Sequence, residues 1–514
     1  MAACSTGATA WGASTQESLL QDDDLLIHSS AAEVDKTMAE LRELGIDRVR
    51  LSVIWRDLAP EHRPGDPSDP RGYQPAKFDH LDTAVRTAER HGIGVLLNLR
   101  GAIPRWAREM RPPQHLRDRD AYRPDPDEFQ LFVQMVGRRY SGSYADENDG
   151  RAVLPRVTMW SVWNEPNWGG LLQPQSVRDP KTRRLHTVAP VVYRRLHRAA
   201  TTGLRVTGHR DDAILIGETA PVGNTKLGEL SHLKPLRFLR DLFCLDRRLR
   251  PLPRGQRYRE LECWDFKRRG MLRATGYAHH PYSVMDPPGE PSADRDFARL
   301  ADADALARVL DGAGRAGRLP RGLPLWYTEY GYQTAPPDPY RGITPEQHAA
   351  WLVEAEHIAW ANPRVAAHAQ FLLRDDEPNA LWPLEDRRHW GTYQSGLRYA
   401  DGAAKPAYAS YRLPLLAPEG LRPGRPLELW GMVRPGANGT AQRVRIQFRA
   451  SEGEAWTALP DEVHTDGQGY FEVTVSEARA GQYRFEWLKP DSPAPAPAEN
   501  DAGPRRSAAL DLLG

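Results

Sequence analysis

Eight short runs of strand-forming residues recur between residues 12 and 413, and helical patterns separate them. The predicted strands lie at residues 14–19, 48–54, 94–99, 157–163, 213–217, 274–279, 325–329 and 367–373. Strands that alternate with helices are typical of βα units, whose strands run parallel. Eight parallel strands are enough to close into a barrel whose interior is filled by side chains. The sequence therefore predicts an α/β fold, a (β/α)8 TIM barrel, over residues 12–413.

The signals at helix ends support this pattern. Ser30 and Glu33 form a predicted capping box, and Gly45 ends the helix that follows. Thr344 and Pro345 supply a cap and a first-turn proline for a later helix. The connection between predicted strands five and six, at residues 223–272, is long and rich in arginine. Connections of this length are usually functional loops or local stiffeners.

The pattern changes after residue 413. Alternating strands are predicted at residues 427–433, 443–449, 470–475 and 482–487, and turns rich in Gly, Asp and Pro separate them. This pattern predicts a small immunoglobulin-like β-sandwich over residues 414–490. Residues 491–514 form a Pro/Ala-rich segment that we expect to be mobile, with a closing strand at 508–513.

Charge and hydropathy exclude several classes of partner. The 69 basic and 68 acidic residues leave a net charge of +1, which would not attract a nucleic acid or an anionic membrane. No run approaches the roughly 20 apolar residues of a membrane span. No pattern specifies the oligomeric state, and we expect a monomer.

Two glutamates follow predicted strands four and seven within aromatic motifs. Glu165 lies in WSVWNEPN at residues 160–167, and Glu329 lies in WYTEYGY at residues 326–332. The C-terminal ends of barrel strands face one shared mouth. In retaining glycosidases, two carboxyl groups roughly 5–5.5 Å apart flank the scissile bond, one protonated and one ionised. The two motifs therefore predict a retaining glycoside hydrolase.

The WNEP and TEYG motifs resemble those of clan A of the glycoside hydrolases, particularly its cellulase-like and β-xylosidase-like families. The resemblance covers roughly residues 12–413 and implies a TIM-barrel glycosidase that acts by double displacement. It implies that Glu165 is the acid/base, that Glu329 is the nucleophile and that Asn164 binds the sugar 2-hydroxyl. The substrate would be a poly- or oligosaccharide, with no cofactor.

Other motifs extend the resemblance. RLSVIW at residues 50–55 resembles the clan's strand-two motif, in which Arg50 would lie beneath the nucleophile, and GAIPRWA at 101–107 resembles the loop after strand three. HHPY at 279–282 resembles the strand-six motif, in which Tyr282 would hydrogen-bond the nucleophile. Matches to the run after strand eight lie at residues 396–407. These motifs add Trp55, Trp106 and His280 to the candidate substrate-binding residues.

Several of these residues have alternative interpretations. Arg50 is also compatible with an ion-pair layer in the barrel, and His280 with a hydrogen-bonded core histidine. Glu218, after predicted strand five, is either a substrate-binding carboxylate or a loop residue that caps the next helix.

The sequence departs from the family where strand eight often ends in a tryptophan that floors the first sugar subsite. Here the strand reads QFLLRDD at residues 370–376, so Phe371, Trp382 or Trp390 would have to replace that ring. No metal site is expected, because the sequence has no HExxH motif, no EF-hand and no closely spaced Cys/His set.

The cysteines bear on localisation. An intracellular enzyme would keep Cys244 and Cys263 as thiols, whereas a secreted one would join them across a loop of about 20 residues. The start of the chain, with Cys4, shows no signal peptide. Because hydrolysis of polymeric glycans is usually extracellular work, we expect a secreted, polysaccharide-degrading enzyme with this disulfide. The alternatives are a non-catalytic carbohydrate-binding protein and a transglycosylase on the same barrel.

Overall fold

The computed structural model describes residues 4–5, 15–116, 120–420, 422–436, 439–488, 507 and 509–511. Eight parallel strands close into a barrel in their order along the chain, which confirms the predicted fold. They are β1 (Glu17–Gln21), β2 (Arg48–Ile54), β3 (Gly94–Arg100), β4 (Met159–Val162), β5 (Ala213–Thr219), β6 (Gly276–His279), β7 (Leu325–Tyr327) and β8 (Val365–Phe371).

A main helix follows each barrel strand. These helices are α1 (Ala31–Glu43), α2 (Asp79–Arg90), α3 (Pro126–Arg139), α4 (Ala189–Val206), α5 (Pro235–Leu242), α6 (Ala303–Arg315), α7 (Pro345–Trp360) and α8 (Pro406–Arg412). Shorter helices span Asp23–Leu26, Trp55–Leu58, Gln256–Glu260 and Trp264–Arg269. Within the described ranges, no helix has the length and apolarity needed to cross a bilayer.

Helix starts follow the sequence signals. The side chain of Ser30 accepts a hydrogen bond from the backbone N–H of Glu33 at the start of α1. Thr344 and Gln347 form a full capping box at the start of α7, and Pro345 occupies the first turn. Such caps satisfy backbone donors that have no partner inside the helix.

The barrel interior is closed below the mouth by small and aliphatic side chains. Leu19, Leu96, Met159, Leu215, Ala278, Ala367 and Ala369 form one buried cluster. The strands β4 and β7 end earlier than the predicted ranges 157–163 and 325–329. Glu165 and Glu329 therefore lie in the loops that follow these strands, above the closed interior. The first predicted strand began at residue 14, which lies outside the described residues.

The long β5–β6 connection contains α5 and two short helices and is crossed by a disulfide. Cys244 and Cys263 are bonded, with a Cα–Cα distance of 5.7 Å, as predicted. Both cysteines are buried. Arg194 of α4 donates to the carbonyl oxygens of Leu242, at 2.9 Å, and of Leu261. The connection is thereby attached to the barrel on both sides of the disulfide.

The C-terminal strands form two facing sheets, which confirms the predicted sandwich. These strands are β9 (Leu415–Leu416), β10 (Leu427–Met432), β11 (Arg443–Arg449), β12 (Thr457–His464), β13 (Tyr470–Val475), β14 (Gln482–Leu488) and β15 (Leu510–Asp511). One sheet has the order β9-β10-β13 with Cys4–Ser5 beyond β13, and the other has the order β12-β11-β14-β15.

Two of these strands bear on the sequence predictions. β12 was not predicted. β15 lies within the predicted closing strand 508–513, of which residues 508, 512 and 513 are outside the described residues, as are residues 491–506.

Candidate active site

Two carboxyl groups meet at the mouth of the barrel. Glu165 follows β4 and Glu329 follows β7. One carboxylate oxygen of each glutamate and one imidazole nitrogen of His280 lie within 4.8 Å of one another. Glu329 is 8% exposed and Glu165 is partly exposed. The structure thus brings together the two glutamates that the sequence motifs singled out.

The chain after β4 bends sharply to present Glu165. Trp163 and Glu165 have φ values of 68° and 40°, in the left-handed region that non-glycine residues seldom adopt. The backbone N–H of Trp163 donates to the carbonyl oxygen of Leu99 at 2.8 Å, and that of Glu165 donates to the backbone carbonyl oxygen of Glu218 at 2.8 Å. Strain of this kind costs roughly 1–3 kcal/mol per residue and persists only where neighbouring contacts hold it.

Two donors converge on Glu329. Arg50 Nη1 donates to Glu329 Oε1 at 2.9 Å, and the hydroxyl of Tyr282 donates to Oε2 at 3.1 Å. Burial opposes the charge of Arg50, but Glu218 and Glu329 outweigh it and raise the Arg50 pKa. Burial and the charge of Glu329 raise the pKa of Tyr282 well above its usual value, so its hydroxyl keeps its proton. Both predicted neighbours of Glu329 are therefore in place, and each donates a hydrogen bond to its carboxylate.

His280 lies between three carboxylates. Its Nδ1 is 3.0 Å from Glu165 Oε1 and 3.4 Å from Glu329 Oε2, and its Nε2 is 2.7 Å from Glu218 Oε2. Burial lowers the pKa of His280, but the three carboxylates outweigh burial and raise it to about 9. The imidazole is therefore protonated at neutral pH, and it contacts the candidate acid directly.

Glu218 occupies a different position from either one predicted for it. It is fully buried and lies beneath the carboxyl pair, contrary to a role in touching substrate or capping the next helix. Glu218 accepts hydrogen bonds from Arg50 Nε at 3.3 Å and from Thr328 at 2.6 Å. Burial raises the pKa of Glu218, but Arg50 and His280 outweigh it and lower the pKa below its usual value. Glu218 is thus a buried anion that holds two cations of the site in place.

Asn164 lies at the mouth beside Arg50. Its side-chain oxygen accepts from Arg50 Nη2 at 2.7 Å, which leaves its amide N–H groups to donate elsewhere. Arg50 also donates to Gln21, a residue that the sequence did not single out. Asn98, likewise missed, donates to Ser161 at 2.8 Å and to the backbone of Trp163 at 2.6 Å. The available signal for Asn98 was an amide side chain directly between Leu97 and Leu99 on a predicted strand.

The two tryptophans suggested by the strand-two and strand-three motifs differ in their exposure. Trp55 is fully buried and stacks on Phe132 at 5.2 Å, so it belongs to the core, contrary to its predicted substrate contact. Trp106 is partly exposed, packs edge-on against Trp55 and donates to the carbonyl of Pro60 at 3.1 Å.

Phe371 and Tyr393 form an aromatic pair next to Tyr282, which hydrogen-bonds to Glu329. Phe371 packs edge-on against Tyr282, at 6.3 Å, and against Tyr393, at 5.3 Å. Tyr393 is 52% exposed. Partial burial, together with the charges of Glu165 and Glu329, raises the pKa of Tyr393 to about 12. Trp390 donates to the carbonyl of Leu384 within its own loop, and Trp382 lies under the guanidinium of Arg388 at 3.3 Å. Of the three aromatic residues considered for the floor, Phe371 is the one beside the nucleophile candidate.

The donor atoms of Glu165, His280 and Glu329 are also close enough together to suit a divalent cation. A metal ligand must be neutral imidazole, however, and His280 is held in its protonated form by the carboxylates around it. The chemistry of this donor set therefore favours proton transfer over metal binding.

A pocket opens beside Glu165, and we call it the Trp168 pocket. It has a volume of about 380 Å³ and is lined by Trp168, Asn224, His232, Met285, Phe297 and Arg299, among others. The indole of Trp168 stacks on the imidazole of His232, with ring centroids 3.4 Å apart. The backbone N–H of Trp168 donates to the backbone carbonyl oxygen of Glu165 at 2.8 Å, so this stack is attached to the loop that carries the acid candidate.

The chain matches no protein-family model and no curated protein sequence. Among solved structures, it is similar to a GH5_18 protein from Streptomyces cattleya in complex with GlcNAc, with 16% identity, 80% of this chain and 83% of that chain covered, and a TM-score of 0.45. An endo-1,4-β-D-mannanase from Thermotoga petrophila shows 11% identity over 77% of this chain and 98% of that chain, with a TM-score of 0.40. A family 5 mannosidase from Rhizomucor miehei shows 12% identity over 78% of this chain and 94% of that chain, with a TM-score of 0.38. Likenesses at this level do not define an activity for this chain.

Proposed function

We propose that this protein is a retaining glycoside hydrolase in which Glu165 is the acid/base and Glu329 is the nucleophile. The observation that carries the proposal is the approach of the two carboxylates, whose oxygens lie within 4.8 Å of each other at the barrel mouth. Retaining enzymes hold their carboxyl groups roughly 5–5.5 Å apart, whereas inverting enzymes need about 6.5–9.5 Å to admit a water. The spacing here suits direct attack by one carboxylate on the sugar.

In the first step, a Glu329 oxygen bonds to the anomeric carbon while the bond from that carbon to the leaving oxygen breaks. Arg50 and Tyr282 hold the attacking carboxylate in place through the hydrogen bonds at 2.9 Å and 3.1 Å. The leaving oxygen takes a proton from Glu165, and the product is a glycosyl ester of Glu329. The side-chain amide of Asn164, whose oxygen is held by Arg50, is oriented to donate to a sugar hydroxyl.

His280 supplies a reason for Glu165 to hold a transferable proton. One proton lies between Glu165 and His280 Nδ1, which are 3.0 Å apart, and either group can carry it. When Glu329 becomes an ester, it loses the charge that helps to keep His280 protonated. The pair has just given its proton to the leaving oxygen, and its lower proton affinity keeps it unprotonated. It is then available as the base that takes the proton of the water that hydrolyses the ester.

Glu218 acts through Arg50 and His280 and does not touch the sugar. Its carboxylate bonds to both cations from below, so it fixes their orientation toward Glu329 and Glu165. It is therefore a positioning residue.

We further propose that the substrate is an extracellular poly- or oligosaccharide and that the enzyme is secreted. The buried bond between Cys244 and Cys263 supports this proposal, because structural disulfides persist mainly in oxidising compartments.

The direct test replaces each carboxyl group by an amide. Glu165→Gln and Glu329→Gln should each lower kcat/KM by about 10³-fold or more on a substrate from a panel of aryl glycosides and glycans, because each removes a reacting group. Glu385→Gln, at an exposed position outside the site, is the matched control and should keep full activity. Circular dichroism should show that all three variants stay folded.

Azide distinguishes the two roles. With an activated substrate, azide should restore turnover to Glu165→Ala and yield a glycosyl azide with the anomeric configuration of the substrate. It should yield the inverted azide with Glu329→Ala, because azide then replaces the nucleophile. Near wild-type activity in both amide variants would contradict the proposal, as would glycan binding by the wild type without release of any product.

A further inference from the structure

The β5–β6 connection is strongly basic, although the whole chain is nearly neutral. Residues 223–272 include 13 Lys and Arg and six Asp and Glu, whereas the complete chain has a net charge of +1. The rest of the protein therefore carries a compensating negative charge. The first part of this segment runs beside the loop that carries Glu165, where Leu233 donates to the carbonyl oxygen of Asn167 at 2.8 Å. Clustered basic side chains create a local positive field, which attracts anions at short range.

Five of these cations line one pocket, which we call the basic pocket. It has a volume of about 320 Å³, and its cationic lining consists of Lys234, Arg237, Arg240, Arg247 and Arg257. Pockets of this size are large enough for a small ligand group. The side chains of Lys234 and Arg240 are mostly buried, whereas those of Arg237, Arg247 and Arg257 are more exposed.

The acidic residues around the basic pocket do not balance its charge. Lys234 pairs with Asp294 at 2.5 Å, and Arg240 pairs with Asp296 at 2.7 Å. Asp241 serves two cations, since it bonds to Arg257 at 2.5 Å and lies 4.0 Å from Arg237. Five cations and three carboxylates leave a surplus of two positive charges.

The guanidinium groups also keep free donor capacity. A guanidinium carries five N–H donors, and the ion pairs of Arg240 and Arg257 each use one nitrogen. The remaining donors of these side chains are available to an anion, and arginine forks match the geometry of carboxylate and sulfate oxygens.

The basic pocket adjoins the Trp168 pocket. Asn224 lines both. The backbones of Asn224 and His232 are joined by a hydrogen bond of 2.7 Å, and the next residues, Leu233 and Lys234, enter the basic pocket. Leu233 in turn donates to Asn167, two residues after Glu165, at 2.8 Å. These contacts link the loop that carries Glu165 to the Trp168–His232 stack and to the basic pocket.

We propose that the basic pocket binds an anionic substituent, a carboxylate or a sulfate, of the glycan that lies across Glu165 and Glu329. The substrate class is then an acidic glycan, with its neutral part over the Trp168–His232 stack and its charge among the arginines. This inference rests on the proposed function, because it assumes that a glycan occupies the mouth.

Binding to an inactive enzyme tests the inference without depending on turnover. Glu329→Gln is titrated by calorimetry with glucuronic-acid-containing xylo-oligosaccharides and oligogalacturonides, each compared with its carboxyl-reduced counterpart, and with a sulfated and an unsulfated galactan oligosaccharide. We expect at least one charged member to bind about tenfold or more tightly than its neutral partner. The preference should shrink as salt is raised from 0.05 to 0.5 M, as charge screening requires.

Substitutions locate the effect. In the Glu329→Gln background, Arg237→Gln with Arg247→Gln should remove the preference for the charged partner, and Arg237→Lys with Arg247→Lys should retain part of it. Arg254→Gln is the matched control, because Arg254 is exposed on the same segment and does not line the pocket. Equal affinity for all charged and neutral partners would overturn the inference, and so would a preference that survives the double glutamine variant.

The outcomes separate this inference from the proposed function. Hydrolysis of a glycan by the wild type, together with equal binding of charged and neutral partners, would leave the glycosidase and remove the anion site. A charge preference that depends on Arg237 and Arg247, without hydrolysis of any glycan, would keep the anion site and contradict the glycosidase.

Discussion

At the scale of single residues, His280 is the cation that lies between the three carboxylates of the site. It is fully buried and contacts Glu165, Glu218 and Glu329, so its charge is balanced only when these carboxylates are present. Its pKa of about 9 exceeds the ordinary value of about 6.5. A raised pKa means that protonated His280 stabilises the folded state fully below about pH 6.5. This contribution is lost as the pH rises through about 9.

Replacing His280 should change the pH profile of the enzyme. In the wild type, the Glu165–His280 pair loses its proton only at high pH, so activity should persist into the basic range. In His280→Gln, Glu165 must hold the proton alone, and the basic limb of kcat/KM should move to lower pH by about one unit or more. The measurement is kcat/KM from pH 4 to pH 10.

A second histidine provides the control for this profile. His197→Gln removes another buried imidazole, one that bonds to the carbonyl of Arg273 and lies away from the carboxyl pair, so it should leave the basic limb in place. An unchanged basic limb in His280→Gln would contradict the shared proton, even if kcat fell.

At the scale of elements, a bulge at the end of β5 places Glu218 beneath the site. Gly217 pairs with Ala278 and Thr219 pairs with His279, so Glu218 is an extra residue on β5. Gly217 has a φ of 123°, and a Cβ there would lie 2.3 Å from the carbonyl oxygen of Ala278. The bulge therefore requires glycine, and it turns the Glu218 side chain toward Arg50 and His280.

Gly217→Ala should damage both stability and activity. The backbone must either adopt a strained conformation or move the bulge, and we expect the free energy of unfolding to fall by about 1–3 kcal/mol. Any shift of Glu218 should also lower kcat. Gly92→Ala is the control, because Gly92 has a φ of 66° but open space around its Cβ position. Urea denaturation and kcat measure the two effects, and equal losses in both variants would argue against a role for the bulge in the site.

At the scale of the whole molecule, the sandwich packs against the barrel through a buried cluster. Trp360 of α7 contacts Trp430 of β10 and Tyr470 of β13, with ring centroids 5.8 Å apart in both pairs. Trp430 and Trp487 are buried, so neither offers a sugar-binding face. These contacts indicate that the sandwich supports the barrel.

Arg434 links the sandwich to the first and last parts of the barrel. It is fully buried and donates to Ser18 of β1 at 3.1 Å, to the carbonyl of Tyr411 at 2.6 Å, and to Glu356 of α7. Arg434→Met should lower the free energy of unfolding by about 3–5 kcal/mol, because it leaves the Glu356 carboxylate buried without its cation. Thermal and urea denaturation measure this loss.

The matched control is an exposed arginine of the same domain. Arg443 pairs with Glu462 at 3.4 Å, with side chains 51% and 35% exposed, so Arg443→Met should cost at most about 1 kcal/mol. The double variant Arg434→Met/Glu356→Leu should recover part of the lost stability. Equal losses for Arg434→Met and Arg443→Met would mean that the buried link contributes little.

The sequence left Cys244 and Cys263 open between free thiols and a disulfide. By itself it determined the barrel, the sandwich and the positions of Glu165 and Glu329 at strand ends. These features follow from local patterns: hydrophobic periodicity specifies the elements, and parallel strands bring their C-terminal ends to one edge. Arg50, Asn164, His280 and Tyr282 were also identified, because the motifs that contain them resemble those of clan A of the glycoside hydrolases.

Only the tertiary structure decided where the side chains of Glu218 and Trp55 lie, and which residues complete the site. An extra residue in β5 turns Glu218 inward, and sequence periodicity does not reveal a bulge. Trp55 enters the core because Phe129 and Phe132 of α3, distant in the chain, pack around it. Gln21 and Tyr393 come near Arg50 and the carboxyl pair only after the barrel closes. Such contacts depend on the joint placement of several elements, and no single segment encodes that placement.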